Sequence, residues 1–208
     1  MSKIATLSRV GATLLAAAAL SACVSVFPKQ PPANLFRFGV APTSATAPAG
    51  GPTFGVVNTV MSFDRAAATD RILTVSGSEA AYIKGSRWVT PANILFDQAV
   101  TRSFDNAGGP ARLISRGEVA RADYVLKLDV RSFEARYEHG AGGAPTVVVV
   151  LHADLDRISD RALAGSRTFE ARVEASDNRV SAIAQAFDQA VTKVLGDLVG
   201  WVGAKGQG

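Results

Sequence analysis

The clearest pattern along the chain is a period-two alternation of apolar and polar residues over residues 123–137. One apolar face runs from Tyr124 to Val130 at every second position, and charged residues stand on the other face. After Val130 the apolar positions shift by one residue and continue from Phe133. A one-residue shift within a single strand predicts a β-bulge near residues 131–132.

Two more long strands are predicted downstream of this one. Residues 146–157 contain a run of four valines, and residues 163–175 alternate between apolar residues such as Phe169 and charged residues such as Glu170. Ser159–Asp160 lies between the two segments and predicts the turn that joins them.

The first half of the chain contains shorter strand candidates, at residues 35–40, 54–60, 71–75, 79–89 and 112–115. Gly85 interrupts the fourth of them. Residues 41–53 consist of uncharged Pro, Ala, Gly, Ser and Thr residues. This composition predicts a surface loop, not a domain boundary, because the later strands still need the first one as a partner.

A first amphipathic helix is predicted after the fourth strand candidate. Thr90 is expected to cap it and Pro91 to occupy its first helical position, and it should end near residues 106–110. Its apolar face is formed by Leu95, Phe96, Ala99, Val100 and Phe104.

A second, longer helix is predicted at the C-terminal end, with Ser176–Asp177 as its cap. Its apolar residues recur at intervals of three and four over about six turns. Gly196 and Gly200 weaken the end of this helix but should leave room for close packing. The apolar stripe consists of Val180, Ile183, Ala184, Phe187, Val191, Val194, Leu195, Leu198 and Val202.

These elements together predict an α+β fold, a mostly antiparallel sheet with two long helices packed on one face. The predicted organisation is a signal peptide at 1–22, a lipidated tether at 23–34, one domain at 35–203 and a disordered tail at 204–208.

The N-terminal segment has the pattern of a bacterial lipoprotein signal. Lys3 and Arg9 are its only charges, and residues 10–20 form an apolar core too short to span a bilayer comfortably. The segment ends in Leu20-Ser21-Ala22-Cys23, which is a lipobox. We therefore expect cleavage before Cys23 and lipidation of its thiol. The alternatives are an ordinary signal peptide with an incidental cysteine, or a short membrane anchor.

Cys23 is the only cysteine of the chain, so no intramolecular disulfide or thiol redox pair can form. Two or three acyl chains on this residue would anchor the protein far more firmly than one. Val24 follows the cysteine, where an aspartate tends to retain enterobacterial lipoproteins in the inner membrane. The expected location is therefore the periplasmic side of the cell envelope, with the outer membrane favoured over the inner.

Charge and motifs argue against several classes of function. Cleavage removes the two positive charges of Lys3 and Arg9 and lowers the formal net charge from +4 to +2, and no basic cluster remains to indicate a nucleic-acid partner. His139 and His152 lack a third ligand at recognisable spacing, so no metal is expected. The sequence has no GxSxG elbow and no phosphate-binding glycine loop, so no catalytic residue and no cofactor is predicted.

Three aromatic residues are candidates for contact with a hydrophobic ligand or a partner. Tyr82, Trp88 and Trp201 would serve if they lined a common groove. The alternative interpretation is that these side chains pack in the core or at a sheet edge.

The chain contains several segments that resemble, in the same order, segments of the ABC-type transport auxiliary lipoproteins, the PqiC-like group. A Leu-Phe-Arg-Phe strand follows the lipobox, and residues 82–105 (YIKGSRWVTPANILFDQAVTRSFD) resemble the family hallmark of a Tyr, an Arg-Trp pair and a Pro-started helix. Residues 122–134 (ADYVLKLDVRSFE) resemble its Asp-Tyr-x-Leu strand, and a helix running to Trp201-Val202 closes the match. The loop at 41–53 looks longer than expected for the family.

The resemblance implies a non-catalytic component that works with an MCE-family substrate-binding protein and an ABC permease and ATPase. Such an assembly moves lipids or other hydrophobic molecules between the two membranes, and this chain, which has no Walker motif, would dock or anchor it. An alternative from another class is an envelope scaffolding or assembly lipoprotein, TolB-like or pilotin-like. A third, a periplasmic hydrolase, lacks a clustered nucleophile and base. Homo-oligomerisation is left open.

Overall fold

The computed structural model describes residues 32–39, 54–59, 61–114, 117–140 and 142–206. The predicted signal peptide, Cys23, most of the tether and the loop at 41–53 lie outside the described residues. Ala33–Gly208 forms one compact unit.

The described residues form nine strands and two helices. The strands are β1 (Asn34–Phe36), β2 (Phe54–Asn58), β3 (Ser62–Phe63), β4 (Arg71–Ser76), β5 (Glu79–Trp88), β6 (Ala111–Ile114), β7 (Tyr124–Arg136), β8 (Thr146–Arg157) and β9 (Leu163–Glu174). The helices are α1 (Ala92–Ala107), between β5 and β6, and α2 (Val180–Lys205), after β9.

Strand β7 is the centre of the sheet. Along one edge it pairs with β8 in antiparallel orientation, and β9 continues the sheet beyond β8. The other edge of β7 pairs with β2, β3 and β4 in succession, each over two or three residues and each in parallel orientation. Beyond these strands, β6 pairs with β2, while β5 pairs with β4 and β1 with β5.

The predicted β-bulge in the central strand is confirmed. The pairing between β7 and β8 shifts register between Val130 and Ser132. Val130 and Phe133 are both buried, on either side of the bulge. Because the bulge adds one residue to β7, the apolar side chains before it and after it face the core although their spacing changes by one. The sequence alternation therefore breaks at this point.

Both helices cover the apolar face of the sheet. Helix α2 packs against β8 and β9, and α1 packs against β6 and α2. The predicted apolar stripe of α2 is buried from Ile183 to Val202, with Val180 partly buried against the core. The predicted fold class, an α+β arrangement of a mostly antiparallel sheet with two long helices on one face, is confirmed, and the sheet is mixed because it also contains short parallel pairings.

The predicted helix caps are wrong. Pro91, not Thr90, occupies the N-cap position of α1, and no side chain caps that helix. Helix α2 begins only at Val180, and the carboxylate of Asp177 accepts a hydrogen bond from the amide of Arg179, before the first helical turn. The first amide of α1 instead donates to the carbonyl of Thr69, so a distant backbone acceptor replaces the local cap.

The ends of β1 and α2 and the presence of β3 also differ from the prediction. Strand β1 ends at Phe36, because Phe38 turns into the core and Gly39 adopts a positive φ of 70°. Helix α2 extends through Lys205, so residues 204–205 are helical and not part of a tail. The two-residue strand β3 was not predicted, because it is too short to show an alternation.

The close packing predicted at Gly196 and Gly200 is not observed. A Cβ atom placed on either residue would meet no atom within 4 Å. Both glycines therefore face open space on the outer side of α2.

Candidate functional site

Trp88 lies at the centre of an aromatic cluster in the core. Its ring contacts Phe38 and Phe187 edge-on, with centroid distances of 5.0 and 5.3 Å. The ring of Phe133 lies 6.3 Å away and joins the cluster from β7. The indole is only 2% exposed, so Trp88 holds the sheet, α2 and the N-terminal segment together.

The backbone around Trp88 forms a junction between several elements. The amide of Trp88 donates to the carbonyl of Asp70 at 2.7 Å, and the amide of Val89 donates to the carbonyl of Phe36 at 2.8 Å. The guanidinium of Arg87 binds the carboxylate of Asp70 at 2.7 Å. This segment thereby ties β1 and the start of β4 to the beginning of α1.

Tyr82 and Trp201 lie in other surroundings. The phenol of Tyr82 donates to the carbonyl of Ala66 at 3.0 Å, and the guanidinium of Arg71 stacks 3.7 Å from the centroid of its ring. Trp201 packs against Phe169 of β9 with a centroid distance of 5.8 Å and is 8% exposed.

The three predicted aromatic residues thus each pack with different partners. Trp88 and Trp201 are buried in the core, and only Tyr82 is partly exposed. These positions match the packing interpretation, and contact of any of the three with a ligand or partner stays a prediction.

A surface groove lies outside the buried Trp88 and was not predicted from the sequence. We call it the tether groove and define it by Leu35, Asp70, Arg87, Val89 and Ile94. It has a volume of about 700 Å³. Its three aliphatic members come from β1, the residue after β5 and the first turn of α1. Ile94 lies outside the predicted apolar face of α1, and only the tertiary structure shows that the three side chains share one exposed groove.

The outer face of the sheet carries paired charges. The ammonium of Lys127 binds Asp156 at 2.6 Å, and Arg172 on β9 binds Glu138 in the β7–β8 loop. The hydrogen bond to Asp156 raises the pKa of Lys127, and that to Arg172 lowers the pKa of Glu138. These pairs are solvent-exposed, so each contributes little to stability.

A family model described as the ABC-type transport auxiliary lipoprotein component matches residues 37–199. The chain belongs to this family. The match runs from the segment after β1 into the last turns of α2, and it confirms the resemblance inferred from the sequence. The family is described as a component of transport, not as a group of catalysts, and a lipoprotein component of transport belongs to the cell envelope.

Solved structures agree with the assignment to the auxiliary lipoproteins. Protein XCC0632 from Xanthomonas campestris, a DUF330 protein of the same family, is 29% identical with a TM-score of 0.73, over 84% of this chain and 97% of that one. A second, uncharacterised protein matches with a TM-score of 0.64 at 10% identity, over 83% of this chain and 99% of that one. The second likeness concerns the fold alone. No curated protein matches the chain.

The described part of this auxiliary lipoprotein contains neither a membrane-spanning helix nor a cluster of metal ligands. Within residues 32–39, 54–59, 61–114, 117–140 and 142–206, no helix is long and apolar enough to cross a membrane. The same residues contain no group of three His, Cys, Asp or Glu side chains placed to hold a metal ion. His152 lies on β8, and its Nδ1 is 3.0 Å from the hydroxyl of Thr168.

Proposed function

We propose that this lipoprotein is a non-catalytic docking component of an MCE-type ABC transporter. Its acylated Cys23 would hold it in the outer membrane, facing the periplasm, while the transporter moves lipids or other hydrophobic molecules between the two membranes. The observation that carries the proposal is the family match over residues 37–199, which spans nearly all of the compact unit.

The packing of the core supports docking over lipid carriage. Phe38, Trp88, Phe133 and Phe187 contact one another between the sheet and the helices. Side chains therefore fill the central part of the interface that an interior lipid would occupy. Partners would therefore bind at the surface of the domain.

The expected partners are an MCE-family substrate-binding protein and the ABC permease and ATPase. Crosslinking in intact cells, followed by affinity purification of the tagged lipoprotein and mass spectrometry, tests this expectation. The control is the Cys23→Ser variant at equal expression, which keeps every residue of the folded domain. Recovery of the MCE protein with its permease, reduced in the variant, is the expected result.

The same experiment separates the proposal from its alternative. Recovery of only outer-membrane or peptidoglycan-linked proteins, with no transporter subunit, would contradict transporter docking. The chain would then serve as an envelope scaffolding or assembly lipoprotein, and the family relationship would reflect the fold alone.

A further inference from the structure

Half of the exposed large aliphatic side chains of the described residues lie in the tether groove. Leu35 is 62% exposed, Ile94 45% and Val89 41%. The other three, Val119, Ile158 and Leu163, belong to loops or strand ends elsewhere. Single exposed aliphatic residues are ordinary on protein surfaces, but a group that shares one groove indicates an interaction surface.

The groove is held by backbone hydrogen bonds. The amide of Val89 donates to the carbonyl of Phe36, and the amide of Ala92 donates to the carbonyl of Thr69 at 3.0 Å. The buried Trp88 supports the groove from below. These contacts fix the relative positions of the backbone segments that carry the aliphatic side chains, so little backbone entropy is lost when the groove meets a partner.

The groove lies where the folded unit begins, close in sequence to the predicted lipid anchor. Leu35 follows Cys23 by 12 residues. A chain of that length spans at most about 40 Å when fully extended and about 20 Å as a flexible coil. The bilayer that holds the acyl chains is therefore within reach of the groove.

We propose that the tether groove rests on the surface of the bilayer in which the protein is anchored. Leu35, Val89 and Ile94 enter the boundary between headgroups and acyl chains, and the half-exposed ion pair of Arg87 with Asp70 lies at the level of the headgroups. Three partly exposed side chains bury too little area to hold a soluble domain on a membrane. The covalent anchor makes the contact intramolecular, so a weak interaction is sufficient.

This inference rests on the predicted lipidation of Cys23, and it adds to the proposed function the face that the domain turns towards the membrane. The test uses the full-length lipidated protein in vesicles of phosphatidylethanolamine and phosphatidylglycerol. Because Cys23 is the only cysteine and lipidation consumes its thiol, an introduced cysteine is the only free thiol. Ile94→Cys places an environment-sensitive fluorophore in the groove.

The matched control is Val119→Cys. This valine is also aliphatic and fully exposed, and it lies in the loop after β6. Strand β6 is at the opposite end of the strand order from β1. A quencher attached to the upper acyl chains of the vesicle lipids reports which label reaches the membrane.

We expect the label at position 94 to be quenched severalfold more than the label at position 119. Adding Leu35→Gln and Val89→Gln to the Ile94→Cys protein should reduce its quenching to the control level. Thermal unfolding of each variant verifies that these exposed substitutions leave the fold intact. Equal quenching at the two positions, or quenching that survives the two glutamine substitutions, overturns the proposal.

The vesicles contain no transporter, so this test is independent of the partners recovered from cells. If the label at position 94 stays in water on vesicles and becomes shielded only when transporter subunits are added, the groove binds protein. That outcome overturns the membrane contact and leaves the proposed docking function standing. The reverse combination, lipid contact without transporter recovery, leaves the membrane contact standing and removes the docking function.

Discussion

Gly39 connects the N-terminal segment to both helices. Its amide donates to the carboxylate of Asp188 on α2 at 2.6 Å, and its carbonyl accepts a hydrogen bond from Arg102 on α1 at 3.1 Å. Its φ is +70°, and a Cβ atom there would lie 2.5 Å from the Cβ of Ala99. Both the backbone conformation and the close approach to α1 therefore require glycine.

Replacing Gly39 with alanine should destabilise the protein by about 2 kcal/mol, because the methyl group overlaps α1 and the left-handed conformation disfavours a side chain. Urea unfolding measures the loss. Gly200→Ala is the matched control, because its new methyl group meets open space within a helix, and we expect a gain of about 0.5 kcal/mol. Equal unfolding midpoints for the two variants would contradict the assignment of Gly39.

At the scale of elements, the last turn of α2 belongs to the folded core. Trp201 and Val202 are buried, whereas Ala204 and Lys205 are exposed although they are helical. The helix therefore ends with one side packed against β9 and the other in water.

We expect Trp201→Ala to lower the free energy of unfolding by about 3 kcal/mol, because it removes the indole that packs on Phe169. Lys205→Ala, four residues later on the same helix, should change stability by less than about 0.5 kcal/mol. Chemical denaturation of both variants checks the difference. A cost near zero for Trp201→Ala would show that the end of α2 is not part of the cooperative unit.

The contact between Arg172 on β9 and Glu138 in the β7–β8 loop predicts that the folding stability of the protein depends on pH. The hydrogen bond from Arg172 lowers the pKa of Glu138, so the carboxylate contributes stability at every pH above the ordinary pKa of a glutamate. That contribution is lost as the pH falls through the lowered pKa of the folded state. Unfolding midpoints recorded between about pH 6 and 3 should fall less steeply in Glu138→Gln than in the unsubstituted protein.

Arg172→Gln provides the partner control for this pair. It should flatten the same part of the pH profile, and the double variant should add nothing to either single one. A steeper profile in either single variant would be inconsistent with the pairing.

At the scale of the whole molecule, the predicted lipidation site and the folded unit are separable. Cys23 precedes the start of the compact unit at Ala33 by ten residues. Cys23→Ser should therefore remove the acyl mass and the membrane fractionation of the protein without lowering its thermal stability. Intact-mass spectrometry with membrane fractionation measures the first two effects. An acyl modification that persists in the variant would contradict the lipobox assignment.

Several features depend on short-range pattern and were predictable from the sequence alone. The alternation along β7, its change of parity at the bulge and the apolar stripe of α2 each arise from the geometry of a single element. The order of the family segments is also visible in the sequence, because each segment corresponds to a strand or helix of the fold.

Other features were decided by contacts between residues far apart in the chain. The start of α1 was mispredicted because the carbonyl of Thr69, more than twenty residues earlier in the chain, accepts its first amide in place of a local cap. The parallel pairing of β2, β3 and β4 with β7 depends on which strand edges become available after folding.

The tether groove shows the same division between sequence and structure. Type and spacing predict which hydrophobic residues face the core, and they leave Ile94 outside the apolar face of α1. They do not predict that Leu35, Val89 and Ile94 lie together. Their exposure is determined by how β1, β5 and α1 meet around Trp88. The sequence by itself therefore determined the longer elements, the predicted anchor and the family, while the tertiary structure decided which apolar side chains lie together at the surface. The physical reason is that periodicity is a local property of the backbone, whereas exposure depends on the packing of all elements together.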